Sequence, residues 1–175
     1  MNIEDELIRE NSKENALAIA SYIGADTRRF AQLMALFLQG EYLVVQRAAW
    51  VLSKCADQRP ELLTPHLKSM IENLQEEEVP VAVQRNTLRV LQNVEVPDTL
   101  LGTLAEVCFK YMEDPKAAIA VKVFAMTNLH NITQKEPALA NELKLLIKHQ
   151  LPYASAGFKS RANKILVALD KQESH

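Results

Sequence analysis

At 175 residues, with a formal net charge of −2 and 48% apolar residues, the chain can bury a substantial core and is too apolar to be disordered. Four glycines and 6% aromatic residues disfavour an all-β sandwich or barrel, and no apolar run reaches the roughly 18 residues of a membrane span. The near-neutral charge also argues against a general nucleic-acid binder.

The opening segment, MNIEDELIRENSKEN, is acidic and polar and does not read as a secretory signal. Cys55 and Cys108 each sit inside an apolar helical pattern, which predicts buried, reduced thiols and a cytoplasmic protein. A first helix is expected over Ser12 to Ile23, with Asn11 and Glu14 as a capping box. A second covers Thr27 to Gln39, between Asp26 as N-cap and Gly40 as a C′ glycine. A third runs from Tyr42 to Ala56. The fourth spans Pro65 to Gln75, entered by a turn from Pro60 and capped by Thr64. The fifth covers Pro80 to Asn93, preceded by the solvated acidic turn Glu76–Glu78. Asp98 to Met112 forms the sixth. The seventh starts at Pro115, capped by Asp114, and reaches Asn131. Pro137 to His149 and Ala156 to Lys171 make the eighth and ninth.

Proline placement organises these elements, because proline is tolerated in the first turn of a helix, where its missing N–H has no intrahelical partner. Six prolines form two interleaved series: Pro60, Pro97, Pro137, spaced by 37 and 40, and Pro80, Pro115, Pro152, spaced by 35 and 37. Two helices per repeat of about 37 residues produce this pattern, a helical-hairpin repeat length. Apolar stripes at helical spacing agree: Leu63, Leu67, Ile71, Leu74; Leu100, Leu104, Cys108, Tyr111; Leu139, Leu143, Leu146, Ile147.

The odd-numbered predicted helices read VVQRAAWVLSKC, VAVQRNTLRVLQNV, AAIAVKVFAMTNLHNI and GFKSRANKILVALD. A basic residue recurs as Arg47, Arg85, Lys122 and Arg161, spaced by 38, 37 and 39. These segments resemble the second helix of HEAT-like (armadillo-type) repeats, as in a small bacterial-type single-domain member, over residues 26–171. The resemblance implies an all-α fold, a right-handed α-α superhelix (HEAT-like solenoid) of about nine helices. It also implies one domain over 1–175: an N-terminal cap helix in 1–25, about four hairpins in 26–171, and a disordered tail at 172–175. Odd-numbered helices would form the inner, concave layer. The basic residues would be structural, pairing as Arg47–Glu41, Arg85–Glu78 and Lys122–Asp114, and leaving Arg161 the freest.

No catalytic, metal or phosphate-cradling motif is present in the sequence, and the four histidines show no ligand spacing, so no cofactor is expected and the chain reads as a non-enzyme. On the third predicted helix Gln46, Trp50, Ser53 and Asp57 share a stripe, flanked by Arg47 and Lys54. Arg85, Asn86, Arg89 and Gln92 form the matching stripe of the fifth, Lys122, Thr127 and His130 that of the seventh, and Lys164 that of the ninth. The expected partner-binding residues are therefore Gln46, Trp50, Lys54, Arg85, Arg89, Lys122, His130 and Lys164. Together they describe a mildly positive surface suited to an acidic protein or peptide bound on the concave face. Two alternatives fit the repeat: a DNA-binding HEAT-like glycosylase-type protein, disfavoured by the acidic balance, and a small-molecule or chromophore-handling lyase-type repeat protein, which needs an apolar pocket with a few polar groups. At the chain's end, Ile165, Leu166, Val167 and Leu169 mark a face able to pair with another copy.

Overall fold

The computed structural model describes residues 1–175. The chain is all-α, with ten α-helices, three short 3₁₀ segments and no strand. It divides into two compact units, Met1–Val90 and Leu91–His175. No helix is long and apolar enough to cross a membrane.

The first unit contains α1 (Ile3–Arg9), α2 (Lys13–Ile23), α3 (Thr27–Gln39), α4 (Tyr42–Gln58), a 3₁₀ segment over Pro60–His66, α5 (Leu67–Asn73) and α6 (Val81–Leu91), which runs to the boundary. The seven-residue α1 departs from the single helix expected at this end. Its N-cap, Asn2, accepts from the Asp5 amide at 3.2 Å, and Ile3 and Leu7 are buried. The capping box expected at Asn11 is replaced by Ser12, whose hydroxyl accepts from the Asn15 amide at 3.1 Å. Buried Asn15 turns its side chain back to α1, donating to the carbonyls of Glu6 at 2.8 Å and Glu10 at 3.0 Å. One asparagine thus adds a second donor to the Glu6 carbonyl, which also accepts from the Glu10 amide at 3.4 Å, and supplies one to the carbonyl of the C-cap Glu10.

The hairpin α3–α4 is the centre of this unit. Asp26 accepts from the amides of Arg29 at 3.1 Å and Arg28 at 2.9 Å, and these backbone donors hold its carboxyl below the usual range. α3 buries Phe30, Leu33, Met34 and Phe37, while α4 buries Val45, Ala48, Ala49 and Leu52. Fully burying each large side chain contributes about 2 kcal/mol. The small alanines of α4 let its neighbours approach, and α1, α2 and α3 all pack on it.

The turn between α3 and α4 is two residues long, Gly40 and Glu41. Gly40 is not the left-handed cap expected: it has an extended backbone, φ −73° and ψ 170°. A glycine is needed there for a different reason, because a Cβ would collide with the carbonyl oxygen of Leu36 and approach Val44 Cγ1 at 3.2 Å.

His66 ends the 3₁₀ segment with its ring edge against Phe30, centroids 5.4 Å apart. Burial pushes its pKa down, as it does that of His130 in the second unit. Unfolding therefore takes up protons first at the free imidazole value, about 6.5. Stability from these two groups is complete above that value and falls as pH drops through it towards the lowered folded values. We expect the urea midpoint to fall between pH 7 and 5.5 and the double variant His66→Gln/His130→Gln to flatten that slope. An unchanged slope in the variant would assign it to other groups. The Asp26 contribution is lost only at lower pH, as pH falls below the usual carboxylate range.

The second unit contains α7 (Asp98–Glu113), α8 (Ile119–Thr133), 3₁₀ segments at Pro137–Leu139 and Leu151–Tyr153, α9 (Ala140–Gln150) and α10 (Ala156–Glu173). α8 packs against α7, α9 and α10 and carries apolar residues around its circumference, the mark of a central helix. α10 lies on α8, as α2 lies on α4, each pair separated by one intervening α-helix in chain order. That is same-layer stacking, as a hairpin repeat requires. α9 and α10 are joined by Lys144, whose ammonium meets Asp170 and Glu173 at 2.8 Å each.

Prolines mark helix entries, though not always the first turn. Pro97 is the N-cap of α7, and Pro80 immediately precedes α6. Pro60 and Pro137 open 3₁₀ segments, and Thr64 makes no side-chain cap to α5. Pro115 lies in a turn closed by Asp114, which accepts from the Lys116 amide at 2.8 Å, so α8 begins four residues later than expected. Cys55 and Cys108 are buried free thiols; burial pushes the Cys55 pKa up to about 11 and that of Cys108 higher still.

Candidate functional site

The expected pairing of basic residues with acids inside each repeat does not form: none of Arg47–Glu41, Arg85–Glu78 or Lys122–Asp114 lies within ion-pair distance. Asp114 is held by its own turn. Arg47 instead reaches back about one repeat, donating through Nη1 to the carbonyls of Leu7 at 2.7 Å and Ile8 at 2.8 Å. Arg161, expected to be the freest, donates to Thr127 Oγ1 at 3.0 Å.

Other side chains follow the same rule of reaching one repeat back. Asn131 donates to the Gln92 carbonyl at 3.0 Å, Gln150 to the Met112 carbonyl at 2.6 Å, and Gln172 to the Thr133 carbonyl at 3.0 Å. Lys135 meets Asp98 at 3.0 Å. The ladder therefore runs between repeats, mostly from amide side chains to carbonyls. These partners are separated by 37 to 39 residues, so the signal in the sequence was the spacing of Asn and Gln rather than of acids.

This leaves the other basic residues available. On α4, Gln46 is exposed, Trp50 is 37% exposed and Lys54 is half-buried. Tyr42, at the start of α4 and not among the expected residues, is 68% exposed. Gln46 donates to its hydroxyl at 2.6 Å. Tyr42, Gln46, Trp50 and Lys54 thus form one i, i+4 row of aromatic and polar groups, with exposed Leu43 beside it. Tyr42 was legible as the next member of that spacing. Ser53, expected on the same stripe, is buried.

On α6, Arg85 and Arg89 are exposed one turn apart with no ion-pair or hydrogen-bond partner. Exposed Val81 extends that row by one turn. Asn86 leaves the expected stripe: it is buried, donating to the Ala82 carbonyl at 2.8 Å. In the second unit, Lys122 and His130 are half-buried on α8, and Lys164 is exposed on α10. Thr127 is taken up by bonds to Val123 and Arg161. No hydrogen bond or ion pair joins any two of the eight expected residues. Gln46, Trp50 and Lys54 share α4, Arg85 and Arg89 share α6, and Lys122, His130 and Lys164 belong to the second unit.

No group of three or more His, Cys, Asp or Glu side chains is placed to hold a metal ion. What the first unit presents is a surface chemistry of aromatic rings and unpaired cations.

Comparison with curated proteins and with solved structures finds no match in either. A model of the HEAT repeat domain matches residues 3–169, including α1. The chain therefore belongs to the HEAT repeat domain family.

Proposed function

We propose that this HEAT repeat scaffold is a non-enzymatic protein-binding module whose contact surface lies on α4 and α6 of the first unit. HEAT repeats are helical scaffolds, commonly used for protein interaction and generally without catalytic function. The observation that carries the reading is the exposed row Tyr42, Gln46, Trp50 on α4, together with the unpaired Arg85 and Arg89 on α6. Trp, Tyr and Arg are the residues that dominate binding energy at interfaces. A guanidinium without an internal carboxylate is free to recognise one on a partner, so the partner is an acidic protein or peptide segment. Gln46 and Lys54 would supply polar contacts around the Trp50 anchor.

The test compares wild type with Trp50→Ala/Arg89→Glu in affinity capture from the source cells. A protein retained by wild type and reduced at least tenfold in the variant, with both chains melting within a few degrees of each other, is the expected result. Equal retention would move the surface elsewhere. If Trp50→Ala lowers the melting temperature and leaves retention by the folded chain unchanged, Trp50 serves the core rather than the interface. Retained nucleic acid that salt removes would favour the DNA-binding alternative.

A further inference from the structure

The second unit holds an open concavity of about 460 Å³, formed where α7 and α9 end and α8 and α10 begin. Its apolar surface includes Phe158, which is buried, and Ile119, which is 55% exposed. Its polar groups include Lys122, Glu113, Gln150 and Tyr153. The Gln150 amide nitrogen is committed to the Met112 carbonyl at 2.6 Å, leaving its side-chain oxygen available as an acceptor. Tyr153 is 91% exposed and makes no hydrogen bond through its hydroxyl.

Lys122 decides what this concavity suits. It is half-buried and its ammonium makes no ion pair or hydrogen bond, although the exposed Glu113 lines the same space. Asp114, the nearest acid in sequence, is occupied by its own turn. A half-buried lysine whose ammonium has no internal anion, beside an exposed aliphatic side chain and two aromatic rings, is complementary to a carboxylate carried next to a large apolar group. The opening is wide and its rim ring projects into solvent, which suits side chains protruding from a larger partner better than a small molecule that must be enclosed.

We infer that this concavity is a second binding site, taking a polypeptide segment that presents a Glu or Asp side chain to Lys122 beside a large apolar side chain seated on Ile119 and Phe158. It extends the protein-binding reading above and rests on it for the class of partner. Its residues lie in the other unit, so the two surfaces are tested separately.

The experiment is an amide NMR titration of the full chain with Ac-Gly-Glu-Phe-Gly-NH2 and its Gln and Lys counterparts. The expected result is a set of shifts confined to residues 113–122 and 149–158. Affinity should be about fivefold weaker for the Gln peptide and lower again for the Lys peptide. Lys122→Met should abolish the preference for Glu over Gln while leaving the remaining spectrum in place; Lys122→Arg should keep it. The Trp50→Ala/Arg89→Glu variant should bind the Glu peptide as wild type does, so failure of the α4–α6 surface and failure of this site give different outcomes. Scattered or absent shifts, equal shifts for all three peptides, or a preference that survives Lys122→Met would overturn the proposal. So would localised binding of 3-phenylpropionate with none of the peptide, which would make the concavity a small-molecule site.

Discussion

Gly40→Ala is expected to cost the fold about 3 kcal/mol, the scale of a backbone clash in a packed turn rather than of an exposed loop substitution. The turn joining α3 to α4 has two residues, and Gly40 donates its amide to the Leu36 carbonyl at 3.0 Å. The same carbonyl oxygen occupies the space that a Cβ would need, with Val44 Cγ1 also close at 3.2 Å. The backbone conformation is open to any residue, so the penalty is steric and cannot be relieved by rotating a side chain. Either the last turn of α3 opens or α4 shifts against the buried Phe30, Leu33 and Phe37. Gly102, within α7, supplies the contrast: it is exposed and a Cβ there meets nothing within 4 Å. Gly102→Ala should stabilise the chain by about 0.5–1 kcal/mol through helix propensity. Urea unfolding of the two variants checks both signs, and a neutral Gly40→Ala would refute the close-approach argument.

Arg47→Met should destabilise the first unit by about 2 kcal/mol and release α1 in particular. The guanidinium donates two short bonds to the carbonyls of Leu7 and Ile8, at the end of a helix of only seven residues. Such a short helix has little stability of its own and depends on docking. Asn15 donates to the carbonyl of Glu6 in the same helix and to that of its C-cap Glu10, so α1 is held by two side chains and by burial of Ile3 and Leu7. Methionine keeps most of the apolar stem and removes both donors, isolating the hydrogen bonds from packing. Hydrogen exchange should show the amides of α1 opening first, while those of α8 and α10 are unchanged. Uniform loss of protection across the first unit would place Arg47 in the general core rather than in the α1 tether.

The order and type of most helices were legible because several independent signals coincided. Asp26, the apolar spacing and Gly40 bound α3 at the residues expected, even though Gly40 acts through close approach rather than a left-handed cap. α1 escaped because its buried apolar surface is two residues, Ile3 and Leu7, in a heptapeptide with four charged side chains. Pro115 misled because a proline near a helix start can belong to the preceding turn, and Asp114 closes that turn with its own side chain.

The candidate surface was less legible for a related reason: polarity does not decide exposure. Asn86 is polar and buried because its own helix supplies an acceptor at Ala82, whereas Tyr42 is aromatic and projects into solvent. Basic residues one repeat apart share a register but not a role. Arg47 and Arg161 are structural donors to other helices, while Arg85 and Lys122 have no partner. That division depends on which carbonyls and hydroxyls the preceding repeat brings within reach, and spacing alone carries no trace of it.

The most direct measurement is site-specific photocrosslinking in the source cells, with p-benzoylphenylalanine in place of Trp50 on α4 and, as control, in place of the exposed Leu145 on α9. The account predicts discrete polypeptide adducts from position 50 that disappear when Arg85 and Arg89 are both changed to Glu, and none of comparable yield from position 145. Adducts of equal yield from both positions, or adducts from position 50 that persist after the charge reversal, would contradict a protein-binding surface on α4 and α6.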